Sequence, residues 1–171
     1  MLRMRSRAWT RAHLCRKRLT KCIRLAKVGY EAMQIFVSGQ IHEIAKVRRA
    51  FAVLRRAGAT ISYDWTRTDR VADKIVQREE CGRRAVHDIE GVLDADVYIL
   101  LSDNRQVGKG MYAELGAALA LKSSRGWPEV YVVGPLNHLS IFYLHPLVRH
   151  RASVTDVVAE LELPDRQPIA A

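Results

Sequence analysis

A chain of 171 residues with 49% apolar and 27% charged side chains is long enough for one domain with a hydrophobic core and leaves no room for a second large one. Its net charge of +10 would suggest a nucleic-acid or membrane partner if it were spread evenly. It is concentrated instead: residues 1–32 hold ten Lys/Arg against Glu31 alone, whereas the remaining 139 hold 18 basic and 17 acidic groups and are close to neutral.

Three readings stand for the basic segment: a disordered arm or translated sequence upstream of the natural start, a nucleic-acid or anionic-surface arm, and a targeting presequence. Met33 stands directly before QIFVSG, a first strand by pattern, and favours the first of these. The expected organisation is a basic N-terminal extension at 1–32, disordered or partly helical with a short helix at 11–26, then a domain at 33–163 and a tail at 164–171. No apolar run approaches the roughly 18 residues of a membrane span, and no signal-peptide core follows the arginines, so a soluble protein with no membrane partner is expected. Cys15, Cys22 and Cys81 are odd in number and scattered, which suits a reducing, cytoplasmic compartment and offers neither a disulfide framework nor a zinc site. The six histidines lack paired metal-ligand spacing; His42, near a helix start, is the one with a candidate site role.

From Met33 onward the periodicity alternates. A short apolar strand at 34–38 precedes a helix at 43–57, where Ile44, Val47, Phe51 and Leu54 recur at steps of three or four and Gly58 supplies the stop. A second strand at 60–63 runs into the polar DWTRTD; helical pattern resumes near Val71 and reaches Leu93, with a break expected at Cys81–Gly82. The uninterrupted apolar run at 97–101 reads as a central parallel strand. After a loop with two glycines come the helix of GKGMYAELGAALAL and a strand at 130–133. A helical turn at 139–143, a weak edge strand at 148–152 and a closing helix at 153–161 capped by Ser153 complete the pattern. The alternation predicts an α/β, flavodoxin-like three-layer sandwich with a five-stranded parallel sheet in the order 2-1-3-4-5. Ligand chemistry then belongs beyond the carboxyl ends of the strands, in the loops Ser38-Gly39-Gln40, Asp64-Trp65-Thr66, 102–110 (which opens on Ser102) and Gly134-Pro135.

Glu114 is the residue that this pattern leaves unexplained. It lies in line with Ala117, Ala118 and Leu121 on a helix with little polar surface, so its carboxylate is expected to be partly desolvated, which is costly unless it is hydrogen-bonded or serves a site. The bland account, an acid favoured by the dipole near a helix start, stands beside a site role. Gly108-Lys109-Gly110 ahead of the helix would let backbone amides approach an anion, although the spacing matches neither a P-loop nor a dinucleotide fingerprint and turn glycines explain it equally. Of Asp88, Asp94 and Asp96 around the third strand, two are expected to be solvated or capping groups.

The succession FVSGQI, YDW, HDIEGVLDADVYILL and GKGMYAELGAALAL resembles the nucleoside 2-deoxyribosyltransferase family, including the related 2'-deoxynucleoside 5'-monophosphate N-hydrolases and enzymes that hydrolyse cytidine monophosphate, over roughly residues 33–135. The resemblance implies a nucleoside 2-deoxyribosyltransferase-like domain at 33–163 in which Glu114 is the nucleophile at the anomeric carbon, Asp88 assists at sugar or base, and Ser38, Gly39, Gln40 and Ile41 help to hold the nucleotide. It also implies a homo-oligomer. Gln40 stands where the family often has proline or serine, and the tyrosine that some transferases carry near the first strand has no counterpart.

These parts suit the chemistry. Breaking an N-glycosidic bond develops oxocarbenium character that a nearby carboxylate stabilises or bonds, with no metal or cofactor required. Glu114 must be ionised, and the helix N-terminus is expected to favour that form against burial. Asp88 is the first candidate proton donor to the departing base and Asp64 a weaker one. Trp65 or Tyr112 could stack on the base, and Lys109 and Arg105 could meet a 5'-phosphate, although packing and solvated charge are equally good accounts of them. Water as acceptor gives hydrolysis and a second base gives transfer. The alternatives are a non-catalytic nucleotide-binding or sensing domain and a nucleic-acid-associated protein acting through residues 1–32.

Overall fold

The computed structural model describes residues 32–67, 77–102, 105–106 and 108–163. The expectations for residues 1–31, for the helical pattern at 71–76 and for the tail at 164–171 lie outside the described residues.

Strands β1 (Gln34–Ser38), β2 (Thr60–Ile61), β3 (Val97–Leu101), β4 (Glu129–Val133) and β5 (Val148–Arg151) form one parallel sheet in the order β2-β1-β3-β4-β5, as expected. β3 is central and wholly buried, which is why VYILL shows no polar alternation. Parallel neighbours need crossovers. Helices α1 (Ile44–Arg56), α2 (Arg78–Asp94) and α3 (Lys109–Arg125) supply the first three, a 3-10 helix at Ile141–Leu144 lies in the connection from β4 to β5, and α4 (Val154–Glu160) follows the last strand.

Alternation along the strands divides the core in two. Ile35, Val37, Val97, Ile99 and Leu101 pack with Val47, Phe51 and Leu54 of α1 and with Val157 of α4. Phe36, Tyr98, Leu100, Val130 and Val132 pack with Val92 of α2 and with Met111, Leu115 and Leu119 of α3. Each fully buried aliphatic or aromatic side chain contributes about 1.5–3 kcal/mol. Helices thus cover both faces and give the expected three layers. On the second face α2 approaches closely: a Cβ on Gly91 would lie 2.6 Å from Tyr63 Cβ and 2.9 Å from the Phe36 ring, which itself stacks on Tyr98.

Two boundaries depart from expectation. β2 spans two residues rather than four, because Tyr63 leaves the edge of the sheet to pack over Gly91. α2 runs unbroken through Cys81–Gly82. A glycine costs a helix about 1 kcal/mol relative to alanine, and Glu80, paired with both Arg83 and Arg84 across that turn, offsets part of it. Other local signals behave as read. Gly58 takes φ +79 just beyond α1, and Ser153 forms a capping box with Asp156 at the start of α4. The expected turn at 139–143 is a 3-10 helix at Ile141–Leu144, where Leu139, Ile141, Phe142 and Leu144 stand exposed. Among the described residues no helix is long and apolar enough to cross a membrane.

Candidate functional site

Ser38 ends β1 and, two residues on from Phe36, faces α2 and α3. Its hydroxyl donates to Glu114 Oε2, in the second turn of α3. Beneath them lies Tyr98 of β3, fully buried, with its hydroxyl donating to Met111 O at 3.3 Å. Asp88 of α2 stands within electrostatic reach of Glu114.

Glu114 keeps part of its residue surface exposed, yet its carboxyl end sits deep among these neighbours. Burial pushes that carboxyl up to about 7; the Ser38 hydroxyl opposes the rise and the Asp88 charge adds to it. Burial likewise pushes Asp88 up to about 6, against His87 and Arg84. Burial thus outweighs the influences that favour the charged form, and the pull of the helix N-terminus is weak at the second turn because the dipole's influence fades after the first. Near neutral pH both carboxyls are therefore partly protonated. Such a pair can present one carboxylate and one acid at the same time.

The first loop is tied to the loop before α3. Gln40 is buried, its Nε2 donating to Gln106 O at 3.2 Å and its Oε1 accepting from Ile41 N at 2.8 Å. Glycine is needed at 39, where a Cβ would meet Val47 Cγ2 at 2.5 Å. A Cβ on Gly108 would press on Met111 at 2.9 Å, whereas one on Gly110 would stand 3.7 Å from Glu114 Oε1, an ordinary contact. Ile41 and Lys109 are exposed. Tyr112 stacks on Tyr143 at 6.1 Å, beside the same loop.

Other predicted residues are engaged elsewhere. Ser102 is buried with its hydroxyl among the carbonyls of Val133, Gly134 and Pro135 at 2.9–3.0 Å, joining the end of β3 to that of β4. Trp65 donates its indole N–H to Val37 O at 2.9 Å and packs into both cores, which anchors it beneath the first loop. Asp64 accepts from Thr66 Oγ1 at 2.6 Å and pairs with Arg55 and Arg67, each at 3.2 Å. Burial opposes them, but these donors hold its carboxyl below the usual range, which suits a structural anion rather than a proton donor. Asp96 accepts from Gln34 N at 3.0 Å at the amino end of the sheet, away from Glu114. Arg105 and His42 line a separate cavity with residues of α1. Tyr98 escapes a reading by pattern, since within VYILL it scores only as core; the signal is its hydroxyl, which needs a partner when buried.

No family model matches the chain, and no curated protein matches it. Among solved structures it is similar to one described as the structure of Clostridium botulinum CMP N-glycosidase, BcmB, with 14% sequence identity, 76% of this chain and 98% of that chain covered, and a TM-score of 0.48.

Proposed function

We propose that the chain acts at the N-glycosidic bond of a nucleoside or nucleoside 5'-monophosphate, as a hydrolase or a transferase. The observation that carries the reading is the hydrogen bond from Ser38 to Glu114 at the carboxyl end of β1, where an open parallel sheet takes its ligands, with the half-buried Asp88 within electrostatic reach. The family resemblance of the sequence supports the same roles.

In this mechanism Glu114, ionised and oriented by Ser38, attacks the anomeric carbon. The C–N bond breaks, its electron pair passes to the base nitrogen, and Asp88 gives that base a proton. Water or a second base then attacks the same carbon and frees Glu114, while Asp88 recovers a proton. The productive microstate is Glu114 charged with Asp88 protonated, the less populated arrangement of a single proton, since Glu114 at about 7 holds it more tightly than Asp88 at about 6. Positive charge growing on the sugar favours it. The chemistry needs no metal or cofactor. A homo-oligomer and a cytoplasmic setting belong to the same reading.

Incubating the protein with a panel of deoxynucleosides, ribonucleosides and their 5'-monophosphates, and separating released base by chromatography, tests it. Glu114→Gln is expected to lower base release at least about a thousandfold. Equal release by the variant overturns the role of Glu114. Nucleotide binding without any release by the wild-type protein overturns the enzymatic reading in favour of a sensing domain.

A further inference from the structure

We infer that Trp65 is a positioning residue for the Ser38–Glu114 pair: its indole N–H takes the place of a strand residue that β2 does not supply and fixes the peptide unit through which β1 enters Ser38. In the ladder between β1 and β2 the donors advance two residues at a time, with Thr60 N reaching Met33 O at 2.9 Å and Ser62 N reaching Ile35 O at 3.0 Å. A third rung would run from the N–H of residue 64 to Val37 O. β2 ends at Ile61, and Trp65 Nε1 donates to that oxygen instead, at 2.9 Å. Val37 is fully buried, so its carbonyl needs the partner. Tryptophan suits the place: its one polar group is a donor, and its rings pack against both cores where the strand has left off.

The consequence falls on residue 38. The Val37 carbonyl and the Ser38 nitrogen belong to one planar unit, so holding the oxygen sets how the chain presents Ser38, whose hydroxyl donates to Glu114 Oε2. The Trp65 ring also lies under the next residue, 3.8 Å from where a Cβ on Gly39 would stand. Trp65 is itself seated from α1. Arg48 donates from Nε to Thr66 Oγ1 at 3.2 Å and from Nη2 to Thr66 O at 2.7 Å, and the buried Thr66 donates in turn to Asp64 Oδ1 at 2.6 Å. Two-point contact with one residue leaves the 3-10 turn at Trp65–Arg67 little freedom. The groups that act on the Glu114 carboxyl are Ser38 of β1, Asp88 of α2 and Tyr98 of β3; Trp65 works through the first of them.

The test replaces Trp65 in the full chain with benzothienylalanine, whose bicyclic ring carries sulfur in place of the N–H. Carbon NMR then follows the Glu114 carboxyl, its signal identified by its loss in Glu114→Gln. Ser38 opposes the rise that burial imposes on Glu114, so a Ser38 no longer held in place lets that carboxyl titrate at higher pH, by roughly half a unit. In Ser38→Ala protein the same replacement is expected to move it no further, because two changes that act through one bond do not add. Arg48→Gln, on an exposed side chain, is expected to move it the same way by less, and serves where the first variant does not fold. A titration that either variant, once folded, leaves unmoved, or a shift of equal size with and without Ser38, overturns the assignment. That the shift also lowers base release, through kcat more than KM, rests on the N-glycosidic reading. A shifted titration in a protein that releases no base counts against that reaction and leaves the positioning role standing.

Discussion

Ser38 Oγ donates to Glu114 Oε2, joining the end of β1 to the second turn of α3 across 76 positions of sequence. The bond works against burial, which pushes Glu114 up to about 7. Ser38→Ala removes only the lowering influence, so the carboxyl rises further. Charged Glu114 must act while Asp88 is protonated, so with Glu114 at about 7 and Asp88 at about 6 the activity is greatest between those values and falls on either side. Ser38→Ala is therefore expected to lower kcat/KM several-fold and to move its alkaline limb to higher pH by roughly half to one unit. A limb that stays in place overturns the assignment of Ser38 as the residue that tunes Glu114.

Asp88 and Asp64 separate two kinds of carboxyl. Asp88 is raised to about 6 by burial, so it can carry a proton near neutral pH. Asp64 is held low by Thr66, Arg55 and Arg67 despite its burial. Asp88→Asn is expected to lower base release by about 10²–10⁴-fold, the usual range for a lost general acid. Asp64→Asn should change stability by no more than about 1 kcal/mol, since its ion pairs are partly exposed, and should leave kcat within a few-fold. Rate measurements on the two variants check this, and a reversed order would exchange their roles.

How much of this was legible depends on whether the signal is local. The open parallel sheet follows from spacing, since β3 reads as buried on both faces and Gly58 and Ser153 mark helix limits by their own chemistry, whereas its strand order is a choice over the longer dinucleotide-binding arrangement that spacing does not decide. Glu114 stands out as one acid in a small, apolar stretch. Asp88 does not stand out: on α2 it is one of several charged residues, and only the family resemblance selects it. The break expected at Gly82 failed because glycine propensity is weak and ion pairs span the position.

Stability should fall with rising pH in the same region. Glu114 moves from 4.5 to about 7 and Asp88 from 3.8 to about 6 on folding, so between about pH 4 and pH 7 the native state binds more protons than the unfolded chain. The stabilising protons are held at the acid end of that window and lost as pH rises through the folded pKa values. Urea midpoints are expected to decrease from pH 5 to pH 7.5, and Glu114→Gln, which cannot ionise, should flatten the trend. A midpoint that rises through this window in the wild-type protein but not in the variant would reverse the sign assigned to Glu114.

The apolar side chains Leu139, Ile141, Phe142 and Leu144 are exposed together, Ile141 by 79%. Scattered exposed leucines need no cause, but a contiguous group favours burial against a partner. A second copy of the chain is the expected partner. Light scattering after size exclusion should give a mass above that of one chain for the wild-type protein and the single-chain mass for Ile141→Asp with Phe142→Asp. A monomeric wild-type protein removes the expectation.

Gly91 sets how closely α2 lies on the sheet, and so where Asp88 stands three residues earlier on the same helix. A methyl at this position would meet Tyr63 Cβ at 2.6 Å and the Phe36 ring at 2.9 Å. Neither can give way freely: Phe36 is fully buried and stacked on Tyr98 at 5.9 Å, and the Tyr63 atom is next to the backbone. The helix must then lift, carrying Asp88 away from Glu114. Gly91→Ala is expected to destabilise by about 1–3 kcal/mol, read as a lower Tm, and to lower kcat more than it raises KM. Gly82→Ala on the same helix meets nothing within 4 Å and should be neutral or mildly stabilising. Equal effects of the two substitutions would mean that helix propensity, rather than the spacing of α2 from the sheet, governs both.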